Sequence, residues 1–329
     1  MIVAVPVARY GHVYSNPFRA RRFAAIIHTL AQRLSHGRVT DALLAWYFVL
    51  VWGSGFLATK LGLQHAPPFT FLAIRFAFGI ACLVPIVLVM RPRGIRSREE
   101  LAHIVIAGCL MHVVHLGGSH YTQYLGLSAG MTAVLLSVQP LLTGLIAARW
   151  LGEPLAPRQW LGIAVGLAGV ALIVWHKIDV REATLGSLVA VTVSLAGVTA
   201  GTLYQRAFCP LVDLRTAALV QFVATFVVLV PLAWLFEDVV VVWSWALAGA
   251  IVFLVIGASI LAVNALHVLM RRGQAARVSS LLYLTPIIAV VLELALFGVV
   301  PSALSVFGIA VTTLGVALVV WPAKSARQA

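Results

Sequence analysis

Apolar runs of about 20 residues, each bounded by short polar or basic clusters, recur along almost the whole chain after residue 41. A helix rising about 1.5 Å per residue needs about 20 apolar residues to cross a hydrocarbon layer roughly 30 Å thick. Helix is the form these runs should take, because lipid offers no partner to a free backbone N–H or C=O. The pattern predicts an all-α integral membrane protein with ten spans, over residues 41–62, 67–90, 101–126, 128–150, 157–175, 185–207, 214–236, 243–270, 275–298 and 301–321.

The pattern also repeats. WLGIAVGLAGVALIVW at 160–175 returns 146 residues later as VFGIAVTTLGVALVVW. The same shift places Pro140 on Pro286, Pro85 on Pro231, Lys60 on Arg206, Gly55 on Gly201 and Gly152 on Gly298, with no gap between 41–175 and 187–321. The chain therefore reads as a tandem duplication. Its expected parts are a basic tail (1–40), a first five-helix repeat (41–175), an outer linker (176–186), a second repeat (187–321) and a short tail (322–329). An odd number of spans per copy makes the second enter the membrane from the opposite side, an inverted repeat of the kind many carriers use. Pro140 and Pro286 fall near the middle of their spans, where kinks are expected. The glycines of the GIAV segments suit close helix packing more than substrate contact.

Composition agrees with a bilayer setting: 62% of residues are hydrophobic and 10% charged, against about a quarter charged in soluble domains. The net charge of +13 does not form a nucleic-acid platform, since the arginines sit at span ends. They mark topology instead. With the N-terminus inside, six arginines before residue 41 and later pairs such as Arg91/Arg93, Arg149/Arg158 and Arg271/Arg272 are cytoplasmic, whereas the outer loops keep Lys177 and Arg181. Both termini are thus expected in the cytoplasm. Residues 1–40 hold an amphipathic stretch, RARRFAAIIHTLAQRL, suited to anionic lipid, with a disordered tail or an over-extended start as the plainer readings; a secretory signal pattern is not seen. Cys82, Cys109 and Cys209 form no CxxC pair and read as packing residues.

WGSGFLATKLGL at 52–63, the LAIRF run ending at Phe76, LGLSAGMTAVLLSVQPLLTGLIAARWLGE at 125–153 and the paired GIAVxxxGVALxxW segments resemble EamA-type members of the drug/metabolite transporter superfamily. The resemblance covers 41–321. It implies a multi-pass carrier of the bacterial inner membrane, often an exporter, of amino acids or other small metabolites. The family commonly ends its fourth and ninth helices with glycine and glutamate. Gly152 and Glu153 follow that pattern, whereas the second copy has Val299 in the acid's place. In the family the last helix of each half braces the bundle away from the cavity.

Ionisable groups inside a span are functional candidates. Glu293 is read as the one acid well within a span, with Lys60 and Arg75 at similar depth. Two roles stand open for it: a structural pair with one of these cations, or a carboxyl that exchanges protons. His112, His115, Ser119 and Gln123 share a face of helix 3 at spacings of three to four. Tyr204 and Gln205 on helix 6, Gln221 on helix 7, and Asn264 and His267 on helix 8 add polar groups, with Ser54 on helix 1. Single polar groups of this kind also serve as interhelical glue. Positions where the copies disagree rank higher, because an asymmetric substrate touches the halves unequally: Trp52 against Val198, Arg75 against Gln221, Tyr121 against His267, Gln139 against Thr285, Ser137 against Tyr283 and Ala147 against Glu293.

The leading function is a secondary transporter working by alternating access and coupled to protons. No Walker motif is present to bind ATP, no cofactor is expected, and the histidines lack the companions of a metal site. The competing classes are an intramembrane enzyme, for which acids are too scarce, and a membrane scaffold or sensor. Expected partners are a small-molecule substrate, membrane lipid and, as an open possibility, a second copy of the chain in a homodimer. No nucleic-acid partner is expected.

Overall fold

In the computed structural model residues 17–150, 156–179, 183–210, 212–271 and 284–320 are described, and among them every regular element is a helix. The chain divides into two compact units, Met1–Leu44 and Ala45–Ala329. α1 (Pro17–Leu63) starts in the first, and its portion Thr40–Leu63 is apolar and long enough to span. The second unit continues with α2 (Pro68–Met90), α3 (Arg98–Tyr124) and α4 (Ala129–Leu136, then Gln139–Trp150). After these come α5 (Pro157–Asp179), α6 (Leu185–Phe208) and α7 (Leu214–Phe236). α8 runs through Trp245–Val252, Phe253–Ala262 and Val263–Arg271, followed by α9 (Thr285–Phe297) and α10 (Ala303–Val320). Among the described residues seven helices, α1 to α4 and α6 to α8, hold stretches long and apolar enough to cross a membrane, and α5, α9 and α10 hold shorter apolar helices.

Helix starts are written locally. Ser97, Ser128, Thr184, Asp213 and Ser244 each accept a backbone N–H of the first turn of α3, α4, α6, α7 and α8, satisfying donors that lipid cannot. Gly298 closes α9 at φ 66°, a left-handed C-cap that glycine adopts without strain. Its counterpart Gly152, with Glu153, lies outside the described residues.

The prolines act differently from the expected mid-span kink. α4 breaks at Ser137–Val138 and restarts at Gln139, so Pro140 sits in a first turn, where its missing N–H is no loss. Pro286 occupies the first turn of α9 in the same way. A second interruption is a π-helical stretch within α3, Cys109–Val114, and another within α8, Phe253–Ala262. The repeat shift places Cys109 on Val255 and Val114 on Ile260, so both copies widen at the same point. Such segments frequently mark functional sites.

Equivalent helices of the two copies pack antiparallel. α2 lies along α7, with Phe76 and its repeat counterpart Phe222 meeting edge to face at 4.8 Å. α5 lies along α10 through the echoed glycines. A methyl group on Gly162 would come within 2.7 Å of the Gly315 carbonyl oxygen, and one on Gly169 within 3.0 Å of that of Gly308. Because Gly162 corresponds to Gly308 and Gly169 to Gly315, these two contacts are one contact seen from either copy. Without a hydrophobic force between helices in lipid, such close backbone approach is what holds them. A Cβ at Gly315 would collide with the Gly166 backbone, whereas one at Gly249 would meet nothing within 4 Å. Gly315→Ala should therefore cost about 1–3 kcal/mol of stability in denaturant titrations in micelles, and Gly249→Ala should leave stability unchanged or slightly raised.

Candidate functional site

A cavity of about 340 Å³ opens between α1, α2 and α3 of the first copy and α6, α7 and α8 of the second, which are the equivalent trio. Both π-helical stretches face it, through Met111 and His112 on one side and Leu254, Ala258 and Ser259 on the other. The walls are mainly apolar, with Trp52, Phe56, Phe76 and Phe222 supplying aromatic surface. The polar groups are few: Thr59, Arg75, His112, His115, Ser119, His120, Gln205, Gln221 and Ser259. No Asp, Glu or Cys is among the lining residues, and no group of three or more His, Cys, Asp or Glu among the described residues is placed to hold a metal ion.

Of the residues marked out by sequence, Trp52, Arg75, His112, His115, Ser119, Gln205 and Gln221 line this cavity. Two of the divergent pairs, Trp52 with Val198 and Arg75 with Gln221, contribute both members. Arg75 is buried and donates from Nη2 to Ser259 Oγ at 3.3 Å, reaching from α2 to α8. Gln221 donates to Gln205 at 3.3 Å. His112 lies against the rings of Phe76 and Phe222. His115 is engaged structurally: its Nδ1 is 2.9 Å from Ser194 Oγ, and that hydroxyl donates to the His115 carbonyl at 2.7 Å.

The other described ones lie elsewhere. Ser54 donates to Leu50 O, Ser137 to Val134 O and Asn264 to Ile260 O, all within their own helices. Gln139 bonds Thr143 and Thr202. The Tyr204 hydroxyl is 2.7 Å from His103 Nδ1. The Gln123 amide and the Thr285 hydroxyl are buried without a partner among the described residues. Tyr283 and the His267 side chain lie outside the described residues.

The acids sit away from the cavity lining and tie helices together. Glu293 accepts Lys60 Nζ at 2.8 Å and the backbone N–H groups of Ala129 and Gly130 at 2.9 and 2.7 Å, joining α9 to α1 and to the start of α4. Its side chain is 3% exposed, and Lys60 Nζ also lies 4.3 Å from the centre of the Phe297 ring. Glu237, just past α7, does the same at the start of α2. It accepts the N–H groups of Phe69 and Thr70 at 2.7 and 2.8 Å, and the hydroxyls of Thr70 and Tyr121 at 2.9 and 3.0 Å. A carboxylate at a helix N-terminus gains both hydrogen bonds and the helix dipole.

The model of the EamA-like transporter family matches this chain twice, over residues 40–175 and 184–321. The chain belongs to that family. It is 26% identical over 291 residues to the inner membrane transporter YedA of Escherichia coli K12, covering 86% of this chain and 92% of YedA. It is also 26% identical over 255 residues to the transporter YvbV of Bacillus subtilis, covering 77% and 83%. A shorter match, 26% over 146 residues, reaches a probable amino-acid metabolite efflux pump of E. coli K12, covering 42% of this chain and 44% of the pump. A solved crystal structure superposes with a TM-score of 0.58 at 22% identity, covering 85% of this chain and 96% of the other, a likeness of fold alone. The protein is a multi-pass transporter of the inner membrane.

The lining residues Thr59, His120 and Ser259 of this EamA-like transporter and, outside the cavity, Glu237 escaped the sequence reading. His120 follows Ser119 in the α-helical stretch His115–Tyr124 and lines the cavity beside it, so the polar stripe of α3 is two residues wide there. Glu237 stands beside Asp238 and looks like a loop acid, while its partners lie 116 to 168 residues earlier in the chain. Removing its carboxylate strands the first N–H donors of α2, so Glu237→Ala should lower unfolding stability by about 2–3 kcal/mol. Asp238→Ala, at an exposed neighbour, should change it by less than about 0.5 kcal/mol in the same denaturant titration.

Proposed function

We propose that the protein is a ten-span carrier of two inverted five-helix halves, with both termini in the cytoplasm, that exports a small amphipathic metabolite, such as an amino acid or a related compound. It works by alternating access and runs on the proton gradient. The observation that carries this reading is the central cavity, walled by the same three helices from each copy. Antiparallel equivalent helices supply the geometry in which one half can rock against the other around a fixed site. The name of the partly matching E. coli relative, a probable amino-acid metabolite efflux pump, favours that substrate range and direction.

The bonds of Glu237 and Glu293 fall at the ends of α7 and α9 that the arginine pattern assigns to the outside. With those bonds made, the outer end is held shut and the cavity is left to load from the cytoplasm. Opening the outer end frees the Glu293 carboxyl from its three donors and exposes it to outer water, which makes it the proton carrier of the cycle. An intramembrane enzyme would need an acid–base or nucleophilic set at the cavity; the described lining has histidines and serine hydroxyls but no carboxylate to orient them.

Purified protein in vesicles should exchange at least one compound in a counterflow screen of amino acids, nucleosides, sugars and cationic drugs, faster when a pH gradient opposes the flow. Glu293→Gln should keep counterflow and lose acceleration by the gradient. No flux for any class contradicts the carrier reading, and a Glu293→Gln protein with unchanged acceleration removes Glu293 from the coupling.

A further inference from the structure

The cavity contains a charge without a counter-charge. Arg75 is 9% exposed and enters no ion pair with any described residue. Its one hydrogen bond among the described residues is to the neutral Ser259 hydroxyl, at 3.3 Å. Buried charges are ordinarily paired, because desolvation costs several kcal/mol per ion. The acids that could neutralise it from within the membrane are committed elsewhere: Glu293 to Lys60 and the α4 N-terminus, Glu237 to the α2 N-terminus. Beside Arg75 in the same wall, His120 is 2% exposed and neither ring nitrogen has a partner among the described residues. A cation and an unpartnered polar ring thus share an otherwise apolar chamber.

The repeat sharpens the point. Arg75 corresponds to Gln221 in the second copy and both line the cavity, so one wall offers a cation where the pseudo-symmetric wall offers an amide. Duplication alone asks for the same residue twice. An occupant with one charged end and one uncharged end asks for this difference.

We infer that the cavity binds an amphipathic organic monoanion, its carboxylate docked on Arg75 and its apolar body against Trp52, Phe76 and Phe222. The inference rests on the carrier reading and, within its range of amphipathic metabolites, moves the preferred class from amino acids to related acids without the amine. A guanidinium presents paired N–H donors that match a carboxylate in plane. A single cation suits a single negative charge better than a phosphate dianion. The described lining residues include no carboxylate, which leaves an ammonium group without an ionic partner among them, so the class is acids lacking a free amine, ahead of zwitterions and cationic drugs.

The test reads binding separately from transport. Calorimetry on the purified full-length protein in micelles compares 3-phenylpropionate with its neutral amide, with 3-phenylpropylamine and with phenylalanine, and counterflow is measured in parallel. The acid should bind at least tenfold more tightly than the other three. Arg75→Gln should abolish that preference, and Arg75→Lys, which keeps the charge without the fork, should retain part of it and guards against a folding defect in the first variant. Equal or tighter binding of the amide, amine or zwitterion, no binding of the acid, or an unchanged preference in a folded Arg75→Gln protein overturns the inference. Counterflow of a non-acid alongside such a result leaves the carrier reading standing, whereas anion binding without flux of any compound spares the inference and sinks the carrier.

Discussion

The structure depends on equivalent helices meeting antiparallel. Phe76 against Phe222, and Gly162 and Gly169 against Gly315 and Gly308, put a pseudo-twofold axis between the copies. Everything at the centre inherits that relation. The cavity is bounded by three helices and their three counterparts, and both copies widen into π-helix at the same position. The glycine contact is confined to α5 and α10, none of whose described residues lines the cavity. This division lets the scaffold keep its symmetry while the site departs from it.

The charges follow a second rule, that an ionised group in a membrane span must find a partner. Glu293 and Glu237 meet it by bonding backbone donors at helix starts, where four N–H groups have no intrahelical acceptor. Each carboxylate joins a helix of one copy to a helix of the other. The two together form connections at one end of the cavity-bearing unit that a rocking motion would have to make and break. Arg75 is the group that this pairing leaves over, which is why the substrate and not the scaffold is assigned to it.

Much of this was legible in the sequence, for definite reasons. Apolar run length gave the bounds of seven membrane-long helices to within a few residues, because lipid admits one backbone solution. The gap-free shift exposed the duplication, and disagreement between copies singled out Trp52 and Arg75. The limits are equally physical. Pro140 announces an interruption, but kink and restart differ only in where Ser137 and Val138 leave the helix. His120 was left off a stripe drawn one residue wide at spacings of three to four, although it lies directly after Ser119 on the same helix. Glu237 is recognisable only through Phe69, Thr70 and Tyr121, which the chain brings to it from far away. Tyr121 and Gln139 show that divergence between copies also marks bonds between distant segments, and Ser137 that it marks a bond within one helix.

The central claim is that one cavity serves both sides of the membrane, with access governed by the acids at one end. It is tested most directly by a single cysteine replacing Ala218 in the cavity wall, with Cys82, Cys109 and Cys209 removed and a membrane-impermeant maleimide applied to oriented vesicles. The account predicts labelling from the cytoplasmic side, shifting toward the outer side when Glu237→Ala and Glu293→Gln release the outer end. Labelling from one side alone whatever the state of these acids, or from neither side, would contradict it.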